Sequence, residues 1–227
     1  MTLNRFFKIY VPIAAIVFLL YAIIGGFLLP VPARFILHET IRNLYFHVPM
    51  WFTMILLFSI SLVNSIMYLN KQEEKYDIRS SEYINAGLLF AVCGLITGML
   101  WAKNTWGAWW VFTDPKLNGA AILCLEYFAY VILRGSISDE RTRAKVSSVY
   151  NLFAAASIIP LIGIIPRLTD SLHPGNGGNP AFSSYDLDNH MRMVFYPAVI
   201  GWMALGLWIA NIRIRIRNLE NKILENN

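Results

Sequence analysis

Residues 83–133 read YINAGLLFAVCGLITGMLWAKNTWGAWWVFTDPKLNGAAILCLEYFAYVIL, and this stretch decides the fold because two long apolar runs meet at a tryptophan-rich junction. Each run, residues 83–102 and residues 117–133, is close to the roughly 20 apolar residues that cross the hydrocarbon core of a bilayer. A backbone without water must pair its polar groups internally, so both runs are predicted to be helices. The junction, residues 101–116, holds four of the seven tryptophans.

The composition of the whole chain is that of a membrane protein. Of the 227 residues, 56% are hydrophobic and only 15% are charged, whereas soluble domains carry about 25% charged residues. Because the apolar runs do not alternate with polar residues, a membrane β-barrel is disfavoured. Only the fourth run contains an Asp, Glu, Lys or Arg, which is Glu126. Six spans are predicted, at about residues 9–29, 48–69, 83–102, 117–133, 146–166 and 193–212.

The predicted fold is therefore an all-α integral membrane protein, a single six-helix domain over residues 1–227 with a tryptophan-rich loop at residues 103–117. The first run is too long for the apolar core of a signal peptide and has no small-residue cleavage pattern after it, so we interpret it as a retained helix. Cys93 and Cys124 fall inside predicted spans without a CxxC motif, which argues against disulfide chemistry.

Lys and Arg are distributed unevenly between the two sets of loops. With six spans both termini lie on one side, and that side holds 13 of the 19 Lys and Arg residues. Because loops rich in Lys and Arg stay in the cytoplasm, both termini are predicted to be cytoplasmic and the tryptophan-rich loop to lie on the outer face. The net charge of +5 reports this bias and gives no reason to expect nucleic-acid binding; the basic tail at residues 213–217 suits anionic lipid.

The tryptophan-rich loop indicates a large, flat, apolar partner. Tryptophan is costly to expose and usually buries its ring. An aromatic belt at the membrane interface is the alternative. A belt needs no glycine within it and no acid beside it, whereas Trp109 and Trp110 follow Gly107 and precede Asp114.

All four histidines fall on the predicted outer face. Histidine is the commonest nitrogen ligand for heme iron. His47 stands in YFHVPMW at the predicted start of the second span, where Pro49 suits the first turn of a helix. His173 follows the fifth span, and His190 precedes the sixth. A lone histidine at a membrane interface is more often a hydrogen-bonding group than a ligand, and His38 has no other feature to support a ligand role.

The loop resembles the WWD-domain family of heme-handling proteins in cytochrome c maturation, which carry a WGxWWxWDxxL-type motif. The residues that match in register are Trp106, Gly107, Trp109, Trp110 and Val111. Phe112 stands where the family often has a third tryptophan. Thr113 is a one-residue insertion, and Asp114 and Leu117 match only after it. The length of the chain and its six predicted spans resemble the CcmC branch of this family.

The resemblance implies a heme site on the outer face. It assigns His47 and His173 as axial ligands of the heme iron. His190 is a competitor for His173, because it stands where the sixth helix is predicted to start and is better anchored there. It assigns the tryptophan faces to the heme ring. Asp114 is a candidate to orient a ligand histidine, and Arg42, Arg167, Arg192 and Lys116 are candidates to pair with propionates, each against the alternative of lipid-headgroup contact. The residues implied to bind the cofactor are His47, His173, Trp106, Gly107, Trp109, Trp110 and Asp114.

The resemblance also implies a role and partners. A protein of this branch holds heme b transiently and delivers it to the membrane-anchored chaperone CcmE, together with the small helical subunit CcmD and the export complex of CcmA and CcmB. It would lie in the bacterial cytoplasmic (inner) membrane. Because the chain has no G-x-x-x-x-G-K-[ST] motif, any ATP use belongs to a partner, and the chain is expected not to be an enzyme.

Other functions remain open at this stage. A transporter of heme or another solute would suit six spans and a charged residue, Glu126, within one of them. Glu126 has a structural alternative as a protonated acid paired with Tyr127, Tyr130 or Asn151 of packing helices. A component of a CcsA-like heme lyase would share the loop but have more spans. A cytochrome b subunit would place paired histidines in the middle of its spans, and this chain has none there.

The charge bias predicts the topology, which reporter fusions measure. A reporter that is active only in the cytoplasm should be active when it is fused after Asn227. A reporter that is active only outside the cytoplasm should be active when it is inserted near Asn176. An external carboxyl terminus would contradict this prediction and would place the tryptophan-rich loop in the cytoplasm.

Overall fold

The computed structural model describes residues 5–32, 37–169, 171–173 and 187–225. Within these residues every regular element is helical. Six stretches are long and apolar enough to cross a membrane, so the prediction of an all-α membrane protein with six spans is confirmed. The six helices are α1 (Val11–Leu28), α2 (Leu44–Lys71), α3 (Glu74–Trp106), α4 (Pro115–Ser136), α5 (Glu140–Ile158) and α6 (Asn189–Glu225).

The helices extend beyond the apolar runs because hydropathy marks only the part of a helix that lies in hydrocarbon. α3 begins at Glu74 and ends at Trp106, so the loop before Pro115 is shorter than the sequence predicts. A 3-10 helix, His38–Asn43, leads directly into α2. The expectation that Pro49 occupies the first turn of α2 is therefore wrong, since this helix begins at Leu44.

Pro49 leaves one backbone carbonyl of α2 without its helical partner, because proline has no N–H to donate to the residue four positions earlier. That carbonyl belongs to Tyr45, and it accepts a hydrogen bond from the indole N–H of Trp202 on α6 at 3.3 Å. Thr53 in turn donates its hydroxyl to the carbonyl oxygen of Pro49 at 2.8 Å. The proline thus creates a polar contact between α2 and α6.

The end of α5 is irregular. Ile159–Ile164 form a π-helix and Ile165–Leu168 a final α-helical turn. Two prolines, Pro160 and Pro166, remove helical N–H donors here, which accounts for the change in winding. The π-helix packs closely on α4, where a Cβ atom on Gly119 would lie only 2.5 Å from the main-chain oxygen of Leu161.

The largest buried cluster lies between α2, α3 and α4. The Phe58 and Tyr127 rings stack with centroids 3.6 Å apart. Gly87 provides the space for this pair, since a Cβ atom there would lie 2.5 Å from the Phe58 ring. Large apolar side chains on the outside of α1, such as Leu20 and Phe27, are exposed, as expected of a surface that faces lipid.

Polar contacts concentrate where α2 ends and α3 begins. Arg134 on α4 donates two hydrogen bonds, of 2.7 and 2.6 Å, to the Asp77 carboxylate. Asn151 on α5 is fully buried and donates to the Ser61 and Ser65 hydroxyls, each at 2.9 Å. A buried polar side chain within the membrane needs such partners, so these contacts fix how α2 and α5 pack.

Replacing Gly119 by Ala tests the contact between α4 and the π-helix. The added methyl group meets a main-chain oxygen, which cannot move as a flexible side chain can, so the Gly119→Ala variant should lose about 1–3 kcal/mol of stability. Gly135→Ala is the matched control on α4, because a Cβ atom there meets nothing within 4 Å. Thermal unfolding in detergent, followed by helical circular dichroism, measures both. Equal midpoints for the two variants would contradict this packing.

Candidate functional site

A cavity of about 590 Å³ lies between the start of α2, the end of α3, the start of α4 and the irregular end of α5. Both predicted ligands, His47 and His173, line it, although they are far apart in the sequence. The other lining residues are Trp51, Gly94, Leu95, Gly98, Lys116, Leu117, Ala120, Leu161, Ile162 and Pro166.

His47 is held in one orientation. It is 8% exposed, and its Nδ1 lies 3.1 Å from the main-chain oxygen of Gly94 and 3.1 Å from Thr97 Oγ1. Thr97 donates its own hydroxyl hydrogen to the Cys93 carbonyl at 2.8 Å. Both partners of Nδ1 are therefore acceptors, so Nδ1 carries the proton. In neutral His47 the lone pair is consequently on Nε2, the nitrogen that is free to bind a metal.

Two glycines of α3 make room for the aromatic side chains of α2. A Cβ atom on Gly98 would lie 2.8 Å from His47 Cε1, and one on Gly94 would lie 2.9 Å from Trp51 Cε2. Our sequence analysis missed Trp51 and both glycines. The Gly-x-x-x-Gly spacing within an apolar run is the signal that could have found them, because it marks a helix face that another helix approaches closely.

Asp114 joins the start of α4 to the segment after α5. Its side chain is 2% exposed. Oδ1 caps α4 by accepting hydrogen bonds from the N–H groups of Lys116 and Leu117, at 3.0 and 3.1 Å. Oδ2 accepts from the Ser171 hydroxyl at 2.8 Å and from the Leu172 N–H at 2.9 Å. Despite the one-residue insertion before it, Asp114 therefore binds the two residues that precede His173.

His173 lies within reach of the same carboxylate. Its Nδ1 is 3.4 Å from Asp114 Oδ1, and its ring meets the Trp106 ring edge-on, with centroids 4.8 Å apart. Burial opposes ionisation of Asp114, but its hydrogen bonds with His173, Ser171 and the Leu172 and Leu117 N–H groups outweigh burial and hold its pKa well below the usual carboxyl value. Asp114 is thus an anion at neutral pH, and an anion at Nδ1 favours a proton on that nitrogen.

The tryptophan-rich loop has anchored ends and an exposed middle. Gly107 ends α3 with φ at 78°, a left-handed conformation that glycine adopts without strain. Trp110 donates its indole N–H to Asn118 at 3.3 Å, whereas Trp109 is 51% exposed and Phe112 is 83% exposed. Among the described residues that line the cavity, Trp51 is the sole tryptophan.

Other predicted groups lie elsewhere. His38 and His190 are both exposed, and neither is among the described residues that line the cavity. Arg42 donates to the main-chain oxygens of Gly26 and Leu29, at 2.6 and 2.8 Å, so it caps α1. Residues 174–186, which form most of the last predicted outer loop, lie outside the described residues.

Glu126 lies on α4 against α5. Its main-chain oxygen accepts a hydrogen bond from the Tyr150 hydroxyl at 3.1 Å, and its side chain interacts with Ser157. Tyr150 and Ser157 belong to α5. Tyr127, Tyr130 and Asn151, the partners that the sequence suggests, are thus not the ones found. Glu126 is not among the described residues that line the cavity, and its Oε2 is buried without a hydrogen-bond partner in the described part of the chain.

Comparison with known proteins gives consistent matches along the whole chain. The family described as CcmC, heme exporter protein C, matches residues 1–227. Heme exporter protein C of Rhodobacter capsulatus is 27% identical over 225 residues, which cover 95% of this chain and 89% of the relative. The protein of the same name from Escherichia coli K12 is 24% identical over 206 residues, 91% of this chain and 81% of the relative. That of Paracoccus denitrificans is 26% identical over 197 residues, covering 85% and 78%.

The dual role of Asp114 is testable with Asp114→Asn. Asparagine caps helices as well as aspartate, so α4 should stay capped, but the Leu172 N–H loses a charged acceptor. Hydrogen bonds to charged groups contribute about 1.5–3 kcal/mol, so hydrogen–deuterium exchange at Leu172 should accelerate about 10- to 100-fold. Asp139→Asn is the matched control, because Asp139 likewise caps a helix, α5, by accepting the Thr142 N–H.

The low pKa of Asp114 sets the direction of a pH effect. A carboxyl group whose pKa is lowered by folding contributes stability above its unfolded pKa, and that contribution is lost only as the pH falls through the folded pKa. In the wild-type protein, protection at Leu172 should therefore persist at a pH of about 4, the usual carboxyl range. Unchanged exchange in Asp114→Asn, or loss of protection already at that pH in the wild type, would contradict the assigned hydrogen bonds.

Proposed function

The chain belongs to the CcmC family of heme exporter proteins C, and from that membership we propose that it holds heme in the cavity between His47 and His173 and hands it on during cytochrome c maturation. One observation carries the proposal: these two histidines, from opposite parts of the sequence, line a single cavity. The relatives named above are all called heme exporter proteins.

The hydrogen-bond partners of both imidazoles support this assignment. A histidine that binds a metal through one nitrogen usually donates its other N–H to a carbonyl or a carboxylate. The Gly94 carbonyl is in that position for His47, and the Asp114 carboxylate for His173. On this proposal each Nε2 is an axial ligand of the heme iron. His190 remains the competitor for the second position, although it lacks both of these surroundings in the described part of the chain.

The rest of the cavity fits a flat apolar cargo with an acidic edge. Trp51, Leu117 and Leu161 present apolar surface. Lys116 also lines the cavity, and its ammonium group is suited to a heme propionate. Trp106 supports the ring of His173, and Gly107 turns the chain out of α3.

The exposed part of the tryptophan-rich loop suits a transfer surface. Trp109 and Trp110 stand outside the cavity wall, with Trp109 half exposed. On this proposal they cover the part of the heme that protrudes from the cavity, or contact the protein that collects it. Stacking on aromatic rings adds only about 0.5–1.5 kcal/mol per pair, which is compatible with cargo that must leave again.

The cellular role that we propose follows the family. The chain is a single membrane domain in the bacterial cytoplasmic membrane, with both termini in the cytoplasm and the histidine cavity on the outer face. It holds heme b transiently, delivers it to the chaperone CcmE, and works with CcmD and with the CcmA and CcmB export complex. On this proposal it is an assembly factor with no catalytic reaction of its own.

Heme titration of purified protein tests the ligand assignment. The wild type should give a two-histidine, low-spin visible spectrum. His47→Ala or His173→Ala should convert it into a five-coordinate or weakly bound form, because one axial ligand is removed. Cytochrome c maturation in cells should fall in parallel.

His38→Ala and His190→Ala are the matched controls, since both histidines are exposed on the same predicted face. Both variants should keep the wild-type spectrum. If His190→Ala abolishes the spectrum while His173→Ala preserves it, the histidine of α6 is the second ligand. If His47→Ala and His173→Ala both leave the spectrum unchanged, the two-histidine site is wrong.

A further inference from the structure

The end of the bundle opposite the histidine cavity contains two adjoining cavities, of about 830 and 650 Å³. They lie where α2 and α4 end and where α3 and α5 begin, and α6 closes the larger one. Tyr68, Gln72 and Arg141 line both cavities. This region therefore combines space with charge at a place that the heme site does not use.

Most of the charge in the larger cavity is already compensated. Its four arginines are Arg134, Arg141, Arg143 and Arg217. Three of them have carboxylate partners: Arg134 pairs with Asp77, Arg143 with Glu140 and Arg217 with Glu220, at 2.6, 3.2 and 3.4 Å. These pairs leave little net charge with which to attract a ligand.

Arg141 differs from the other three arginines. It donates to the neutral amide oxygen of Gln72 at 2.6 Å, and no carboxylate of the described residues forms an ion pair with it. Lys145 joins it in the lining of the smaller cavity, which contains no acidic residue. The two acids nearest to it in sequence are engaged elsewhere: Glu140 pairs with Arg143, and Asp139 accepts the Thr142 N–H at 2.8 Å as the cap of α5. The smaller cavity thus holds two cations, and no ion pair among the described residues neutralises either of them.

We propose that the smaller cavity is a binding site for a phosphate group. The Arg141 guanidinium and the Lys145 ammonium supply charge, and the Tyr68 hydroxyl supplies a neutral donor. The phosphate belongs either to the headgroup of an anionic phospholipid or to a soluble phosphate. Leu69, an apolar residue of the second span, also lines the cavity, which places it at the edge of the membrane and favours the lipid.

Reconstitution into nanodiscs tests the lipid source. The protein is placed in phosphatidylcholine containing a minor fraction of phosphatidylglycerol, and the lipids that it retains in mild detergent are counted by native mass spectrometry. The wild type should be enriched in phosphatidylglycerol. Because each substitution removes one charged hydrogen bond to the phosphate, Lys145→Gln should reduce that enrichment about tenfold, and Arg141→Gln with Lys145→Gln about a hundredfold.

The control removes the same charge from the same end of the bundle. Arg79→Gln with Arg215→Gln alters two exposed residues that line neither cavity, and should keep the wild-type enrichment. If the double cavity variant does not fold, as judged by its helical circular dichroism, Lys145→Gln alone provides the comparison. An equal loss in the control would show diffuse attraction to charge and overturn the proposal.

A second arm identifies a soluble source. In nanodiscs of phosphatidylcholine alone, inorganic phosphate should raise the unfolding midpoint of the wild type, at constant ionic strength against chloride, if the site takes free phosphate. Arg141→Gln with Lys145→Gln should abolish that rise. Enrichment without a phosphate effect assigns the site to lipid, and a phosphate effect without enrichment assigns it to a soluble phosphate. The absence of both in the wild type overturns the proposal.

Discussion

The Asp114 carboxylate connects two parts of the chain on which the arrangement of the candidate site depends. Its two oxygens accept four hydrogen bonds, two from the first turn of α4 and two from residues 171 and 172. These bonds hold the residues beyond α5 against the start of α4, which brings His173 to the cavity. The carboxylate is buried, and its Oδ1 lies 3.4 Å from His173 Nδ1, so solvent screens little of the attraction between its charge and the His173 ring. One acidic side chain therefore sets both the position and the electrostatics of that histidine.

The other half of the site depends on the absence of side chains. Gly94 and Gly98 lie one helical turn apart on α3, and the rings of Trp51 and His47 occupy the space that they leave. The same close approach brings the Gly94 carbonyl oxygen within 3.1 Å of His47 Nδ1. A larger residue at position 98 would push the imidazole away from its acceptors. The histidine of α2 is thus oriented by backbone proximity, whereas His173 is oriented by a carboxylate.

The part of this structure that could be predicted is the part that local sequence determines. Six spans follow from the length and hydropathy of each apolar run, and they need no knowledge of tertiary contacts. The helix end at Gly107 and the cap at Asp114 are likewise local signals, although the motif alone did not reveal them. Arg42 could not be placed, because its acceptors, the carbonyls of Gly26 and Leu29, become available only when α1 ends beside it.

The cavity itself could not be predicted, since its lining comes from α2, α3, α4 and the end of α5. Hydropathy gives Leu161 and Ile162 the same character as any lipid-facing residue, yet both face the histidines. Pro160 and Pro166 lack the N–H groups that a regular helix would use here, and the π-helical winding of residues 159–164 sets Leu161 against Gly119 of α4. A regular helix would present different side chains to the cavity, because a change from 3.6 residues per turn rotates every later residue about the axis. The irregular end of α5 is therefore part of the site, and the glycine that receives it on α4 is as necessary to the cavity wall as the residues that line it.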